Sequence, residues 1–112
     1  LFLKNKKEEN MIEKQYPMPI AEIEKIDKQL FEILKNAYDL AMAPGALDVK
    51  TKVLITLALD AFHGADAGVR ALAATARKLG VPDAQIVETL RIAYVTKGME
   101  TLVAARSAFM ER

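Results

Sequence analysis

Residues 47–98 read LDVKTKVLITLALDAFHGADAGVRALAATARKLGVPDAQIVETLRIAYVTKG, and this stretch decides the fold. Asp48 stands where a helix N-cap belongs, its carboxylate able to accept from the first free backbone amides. The helix it opens, Val49 to about Phe62, is apolar around most of its circumference: Val53, Leu54, Ile55, Leu57, Ala58, Leu59, Ala61 and Phe62. Such a helix in water needs cover on every side. A chain of 112 residues has few other helices to supply it, so contact with a subunit neighbour is expected. His63-Gly64 closes this helix, the glycine suited to a left-handed C-cap and the histidine to the negative end of the dipole.

A third helix runs from about Asp66 to Leu79, rich in the small residues that let helices approach: Ala67, Gly68, Ala71, Ala73, Ala74 and Ala76. Gly80-Val81-Pro82-Asp83 is a stop followed by a new start. The fourth helix carries Ile86, Val87, Leu90, Ala93, Tyr94 and Val95 to about Lys97, and Gly98 separates it from a last helix, Met99 to Met110. Upstream, apolar residues from Ile20 to Ala41 keep a helical period, with Glu22, Glu24, Lys25, Asp27, Lys28 and Glu32 on the wet side. That first helix is expected to run unbroken to Met42, where Ala43-Pro44-Gly45 ends it. No strand alternation and no internal repeat occur. The expected fold is all-α, a compact bundle of about five helices in a single domain over 18–112. Residues 1–17 are expected to form a polar arm, and Pro17 and Pro19 mark where it ends. Met11 reads as a native start, with Leu1 to Asn10 either upstream sequence or a cloning remnant.

Composition narrows the chemistry. Apolar residues make up 52% of the chain, enough for a core. Zero cysteine removes disulfides, iron–sulfur clusters, thiolate zinc sites and every thiol nucleophile from these residues. A single histidine excludes a multi-histidine site within one chain. A net charge of +1, from 16 basic and 15 acidic residues, singles out no polyanion, and Lys50 and Lys52 are too few for a nucleic-acid surface. No segment reaches the ~20 apolar residues of a membrane span, and LFLKNKKEENMIEKQ lacks the apolar core of a signal peptide. A cytoplasmic protein without a membrane partner, a cofactor or a metal is expected.

The quoted stretch resembles the carboxymuconolactone decarboxylase family, which includes alkyl hydroperoxidase D-like proteins. The likeness lies in Leu47-Asp48 with Lys50-Thr51-Lys52, in Leu54-Ile55 and Leu57-Ala58, and in Gly64, Ala71, Leu79-Gly80 and Ile86. It covers roughly Leu47 to Phe109. The resemblance implies an alkyl hydroperoxidase D-like fold, assembly into trimers or hexamers, and, by family alone, a peroxiredoxin-type hydroperoxidase activity. In the redox branch a Cys-x-x-Cys-x-x-x-His motif and a glutamate on the preceding helix form the site. Carried onto this chain, the cysteines fall on Ala65 and Gly68, the histidine on Leu72 and the glutamate on Val53. The decarboxylase branch's histidine also falls on Leu72. Neither reaction transfers, and the positions describe a greasy or filled pocket, with Tyr94 beside it.

Other polar candidates remain. Asp60, His63 and Asp66 form an Asp-x-x-His-x-x-Asp string, in which Asp60 and His63 share a helix face. It serves either as an acid/base pair, or a metal site completed by a symmetry mate, or simply as caps: His63-Gly64 for one helix, Asp66 for the next. Arg70 is placed to hold an anionic substrate, or else is a salt-bridge residue at the surface. Tyr94 reads most simply as a core aromatic with a partnered hydroxyl. Three functions stand against each other. One is an oligomeric small-ligand-binding or scaffold protein with an apolar or anionic ligand. The second is a cysteine-independent decarboxylase- or isomerase-like enzyme using His63, Asp66 and Arg70. The third is a subunit that borrows catalytic groups from another chain. Erasure of the motif at every position favours the first.

Overall fold

A computed structural model describes residues 16–110 as five helices joined by short turns, with no strand among the described residues. The helices are α1 (Met18–Ile26), α2 (Lys28–Met42), α3 (Val49–His63), α4 (Asp66–Lys78) and α5 (Asp83–Arg106). The expected all-α class and helix number hold, although two boundaries differ in compensating ways. The residues assigned to the N-terminal arm, with the suggested start at Met11, lie outside the described residues except for Tyr16 and Pro17. No described helix is long and apolar enough to cross a membrane. The chain divides into two compact units, one up to Ala43 and one from Pro44.

In the first unit the single expected helix is broken at Asp27. This residue is extended (φ −149°, ψ 95°), and its carboxylate accepts from the Leu30 amide at 3.0 Å. The Asp27 amide still donates to the Ile23 carbonyl at 2.8 Å, so one residue closes α1 and opens α2. An aspartate side chain competes well for the free amides of a first turn, and here it outweighs continuation of the helix. The break lets α1 and α2 pack against each other. Phe31 and Tyr16 are buried there, their rings edge to face with centroids 6.3 Å apart.

In the second unit α3 packs against both α4 and α5. Asp48 caps α3 as expected, accepting from the Thr51 amide at 2.7 Å, and that bond draws its pKa below the ordinary carboxylate value. Val53 and Leu57, one turn apart, face inward with Ala76 of α4, Ile86 and Ala93 of α5, and Val81 of the α4–α5 turn. The turn is a Schellman closure. Gly80 is left-handed (φ +86°), its amide donates to the Arg77 carbonyl at 3.0 Å, and the Val81 amide reaches Ala76 at 2.9 Å. Pairing those carbonyls is what allows Val81 to be buried against Ala76. The Arg77 guanidinium meets Asp83 across the same turn at 2.9 Å.

The second boundary difference lies at Gly98, where a stop was expected and α5 continues without interruption. Glycine inside a helix costs about 1 kcal/mol but does not end one without a left-handed closure. Gly98 has no positive φ, and Met99-Glu100-Thr101-Leu102 supplies mostly good helix formers instead of a proline or a cap. The expected last helix is therefore the second half of α5, which ends at Arg106 and not at Met110.

Candidate functional site

The junction of α3 and α4 carries most of the residues singled out by sequence. Gly64 ends α3 in the left-handed conformation (φ +75°), as expected. Its amide donates to Ala61 at 3.1 Å, and the Ala65 amide donates to the Asp60 carbonyl at 2.9 Å. Ala65 occupies the N-cap position of α4 and offers no side-chain acceptor. Asp66 is thus the first helical residue and not the cap that the sequence suggested. It acts on α4 only through its charge, which the positive end of the helix dipole favours.

Asp60 contributes its side chain as well. A β-carbon added at Gly68 would lie 2.9 Å from the Asp60 Cγ and 3.5 Å from its Cβ, with the carboxylate oxygen closer still. The half-buried carboxylate therefore rests on the bare backbone of residue 68, near the positive end of α4. Any side chain at 68 must displace it. Because the carboxylate is the far end of a rotatable side chain, that displacement is modest in cost. Gly68→Ala is expected to forfeit much of the ~1 kcal/mol that alanine normally gains over glycine in a helix. The full gain should return in an Asp60→Ala background, a coupling of about 0.5 kcal/mol or more by a double-mutant cycle in urea. Strictly additive effects would mean that Asp60 does not sit there.

The remaining candidates are spread over the surface. His63 is exposed and makes no hydrogen bond to Asp60 or Asp66; its ring stands edge-on to Phe62, with centroids 5.5 Å apart. The Lys97 ammonium lies 4.7 Å above the same Phe62 ring and pairs with Glu100 at 3.4 Å. Asp66 and Arg70 are one turn apart on α4, both exposed and in no ion pair with each other. No group of three or more histidine or acidic residues suited to a metal ion occurs among the described residues.

The pocket positions divide likewise. Val53 is buried at 3% exposure, Gly68 and Leu72 are half-buried, and Ala65 is exposed. Val53 belongs to the packed core, so its position is filled. Tyr94 departs most from its sequence reading. It is 80% exposed on α5, no core aromatic, and lines an open apolar groove with Val87, Leu90, Arg91 and Val95. The sequence placed no arginine there, although Arg91 and Tyr94 are three apart and hence on neighbouring positions of one helix face.

Helix order, the Asp48 cap, the Gly64 closure and the core around Leu57 now stand together. The family model that matches the chain, over residues 28–111, is that of the carboxymuconolactone decarboxylase family. The chain belongs to this family. The match reaches back to Lys28, the first residue of α2, well before the Leu47 at which the likeness begins to the eye. Comparison with curated proteins found no match, and neither did comparison with solved structures. The match takes in α2 of the first unit and nearly all of the second, and it assigns no reaction.

Proposed function

We propose that this carboxymuconolactone decarboxylase-family protein has no thiol chemistry and serves as a self-associating, small-ligand-binding or scaffold protein. The observation that carries the proposal is the set of groups at the positions to which the redox motif maps. Val53, Ala65, Gly68 and Leu72 include no nucleophile, no acid or base and no redox group. A thiol peroxidase cycle needs a thiolate to attack the peroxide oxygen and a second thiol to resolve the product. These 112 residues supply neither. The alkyl hydroperoxidase activity that a family label suggests is therefore not expected here.

The alternative enzyme working through His63, Asp66 and Arg70 gains no support from the geometry. The three side chains are exposed and unconnected, whereas acid/base catalysis requires a base within hydrogen-bond reach of its partner. For a ligand, the open groove on α5 offers apolar surface from Val87, Leu90 and Tyr94, and Arg91 is among its lining residues, a residue type that pairs with anions.

Purified protein given an organic hydroperoxide and a thiol reductant is expected to turn over no faster than buffer. A rate above the blank that survives metal chelation would defeat the proposal. In the same preparation anilinonaphthalene sulfonate, an apolar anion, is expected to bind saturably and several-fold more weakly to Arg91→Ala. Equal binding by that variant would remove the groove as the ligand site.

A further inference from the structure

Helix α5 is apolar on two opposite sides. Ile86 and Ala93 face the core of their unit and are buried, with Leu90 half-buried between them. On the far side Glu88, Ile92, Val95, Met99, Leu102 and Arg106 follow one another at alternating steps of four and three. That spacing is the a/d seam of a coiled coil, which keeps one line of side chains facing a partner helix. The four apolar members are 66%, 55%, 50% and 61% exposed, and Glu88 and Arg106 at the two ends are exposed as well. An uncovered seam of this regularity on the side away from the core calls for an occupant.

The order of charges selects the occupant and its direction. Two parallel copies of the seam would set Glu88 against Glu88 and Arg106 against Arg106, which is repulsive. Two antiparallel copies related by a two-fold axis set Glu88 against Arg106 at both ends. In that register Ile92 faces Leu102, and Val95 faces Met99. Every layer then joins an a position to a d position. Sliding by one heptad places Arg106 against Val95 and leaves Glu88 without a partner. The seam is complementary to itself in one orientation and one register, as an isologous interface requires. With the stems of its flanking residues it offers on the order of 600 Å² per copy, near the ~800 Å² that each partner brings to a stable interface.

We propose that α5 pairs antiparallel with α5 of a second copy of this chain through this seam. The inference rests on the self-association proposed above and assigns it a surface and a two-fold symmetry. The test is sedimentation of the full chain at micromolar concentration, for wild type, Leu102→Asp, Glu88→Arg, Arg106→Glu and the Glu88→Arg/Arg106→Glu double variant. All three substituted positions are exposed, so far-ultraviolet circular dichroism should report unchanged helicity in all four variants. Leu102→Asp and each single charge reversal are expected to weaken association tenfold or more, and the double reversal to restore it. Wild type that self-associates while all variants match it would overturn the seam and leave self-association standing. Single variants that weaken without restoration in the double would overturn the antiparallel register. A wild type that is monomeric would overturn both the seam and the self-association on which it rests.

Discussion

Leu57→Ala is expected to lower stability by about 3–5 kcal/mol, the upper part of the range for buried leucines. Leu57 is 0% exposed and sits on α3, the helix that packs against both α4 and α5. Its removal opens a cavity bordered by three helices, and the cost of such a cavity depends on how far its walls can close. Here they close poorly. α3 and α4 are tied by the Gly64 closure, and α4 and α5 by the Gly80 closure, so no helix can shift inward alone. The other buried side chains of the unit are alanines, Ala76 and Ala93, or β-branched and stiff at χ1, Val53, Val81 and Ile86, so none swings readily into the space. Against a typical total of ~5–15 kcal/mol, the loss would leave the protein marginal. Urea unfolding followed by circular dichroism should show it, with Leu57→Met, of similar volume, losing less than about 1.5 kcal/mol. A loss near 1 kcal/mol for alanine would contradict the central place given to this side chain.

The same helix shows what the sequence made legible and what it did not. Its start at Asp48 and stop at Gly64 were readable because each is a local bond: a carboxylate accepting from Thr51, and a glycine free to turn left-handed. Its all-round apolar character was readable too. The structure satisfies that demand on two sides and leaves Ile55 and Leu59 at 44% and 55% exposure. Asp27 and Gly98 depart from the sequence expectation for one shared reason. Aspartate can be a cap or a wet-face residue and glycine a stop or a mere weak point, and only the neighbouring backbone decides. Tyr94 departs from that expectation because an aromatic residue's preference for the core says nothing about which face of α5 carries it. The heptad seam on the far side of α5 has its own phase, which a search for one apolar face conceals.

The site was less legible than the fold, since the residues that mattered were defined by what they lacked. Mapping the motif onto Ala65 and Gly68 gave two blank positions, and the structure shows that neither is idle. The Ala65 amide holds the Asp60 carbonyl, and Gly68 gives room to the Asp60 carboxylate. Asp60 stood in the Asp-x-x-His-x-x-Asp string as a partner for His63, three residues away. Its actual neighbour is eight residues on, across the turn. Spacing along one helix could not reveal it, because the approach depends on how Gly64 redirects the chain.

Tyr16→Ala is the second substitution with a large expected effect, about 3–5 kcal/mol on the unit built from α1 and α2, by analogy with other buried aromatic truncations. Tyr16 is 8% exposed and meets two rings edge-on, Phe31 at 6.3 Å and Tyr38 at 5.7 Å. Its hydroxyl also donates to Asp39, shared between the two carboxylate oxygens at 2.7 and 2.9 Å. Tyr16→Phe keeps the ring contacts and loses only the hydroxyl bond. Because Asp39 is exposed and regains water, about 1 kcal/mol is expected from that change. Alkaline pH separates the two contributions further. Burial, followed by the bond to Asp39 and its charge, pushes the Tyr16 pKa up to about 12 from 10.0. A raised folded-state pKa favours the neutral phenol in the folded state. Its contribution is therefore complete below pH 10.0 and disappears as pH rises through about 12. Hydrogen exchange across residues 18–42, taken in steps over that window, should show the unit loosening in wild type and much less change in Tyr16→Phe. Some dependence should persist from Tyr38, whose pKa is also raised by burial and the nearby Asp39. Equal alkaline sensitivity in wild type and Tyr16→Phe would mean that the phenol–carboxylate bond does not hold α2 to the segment before α1.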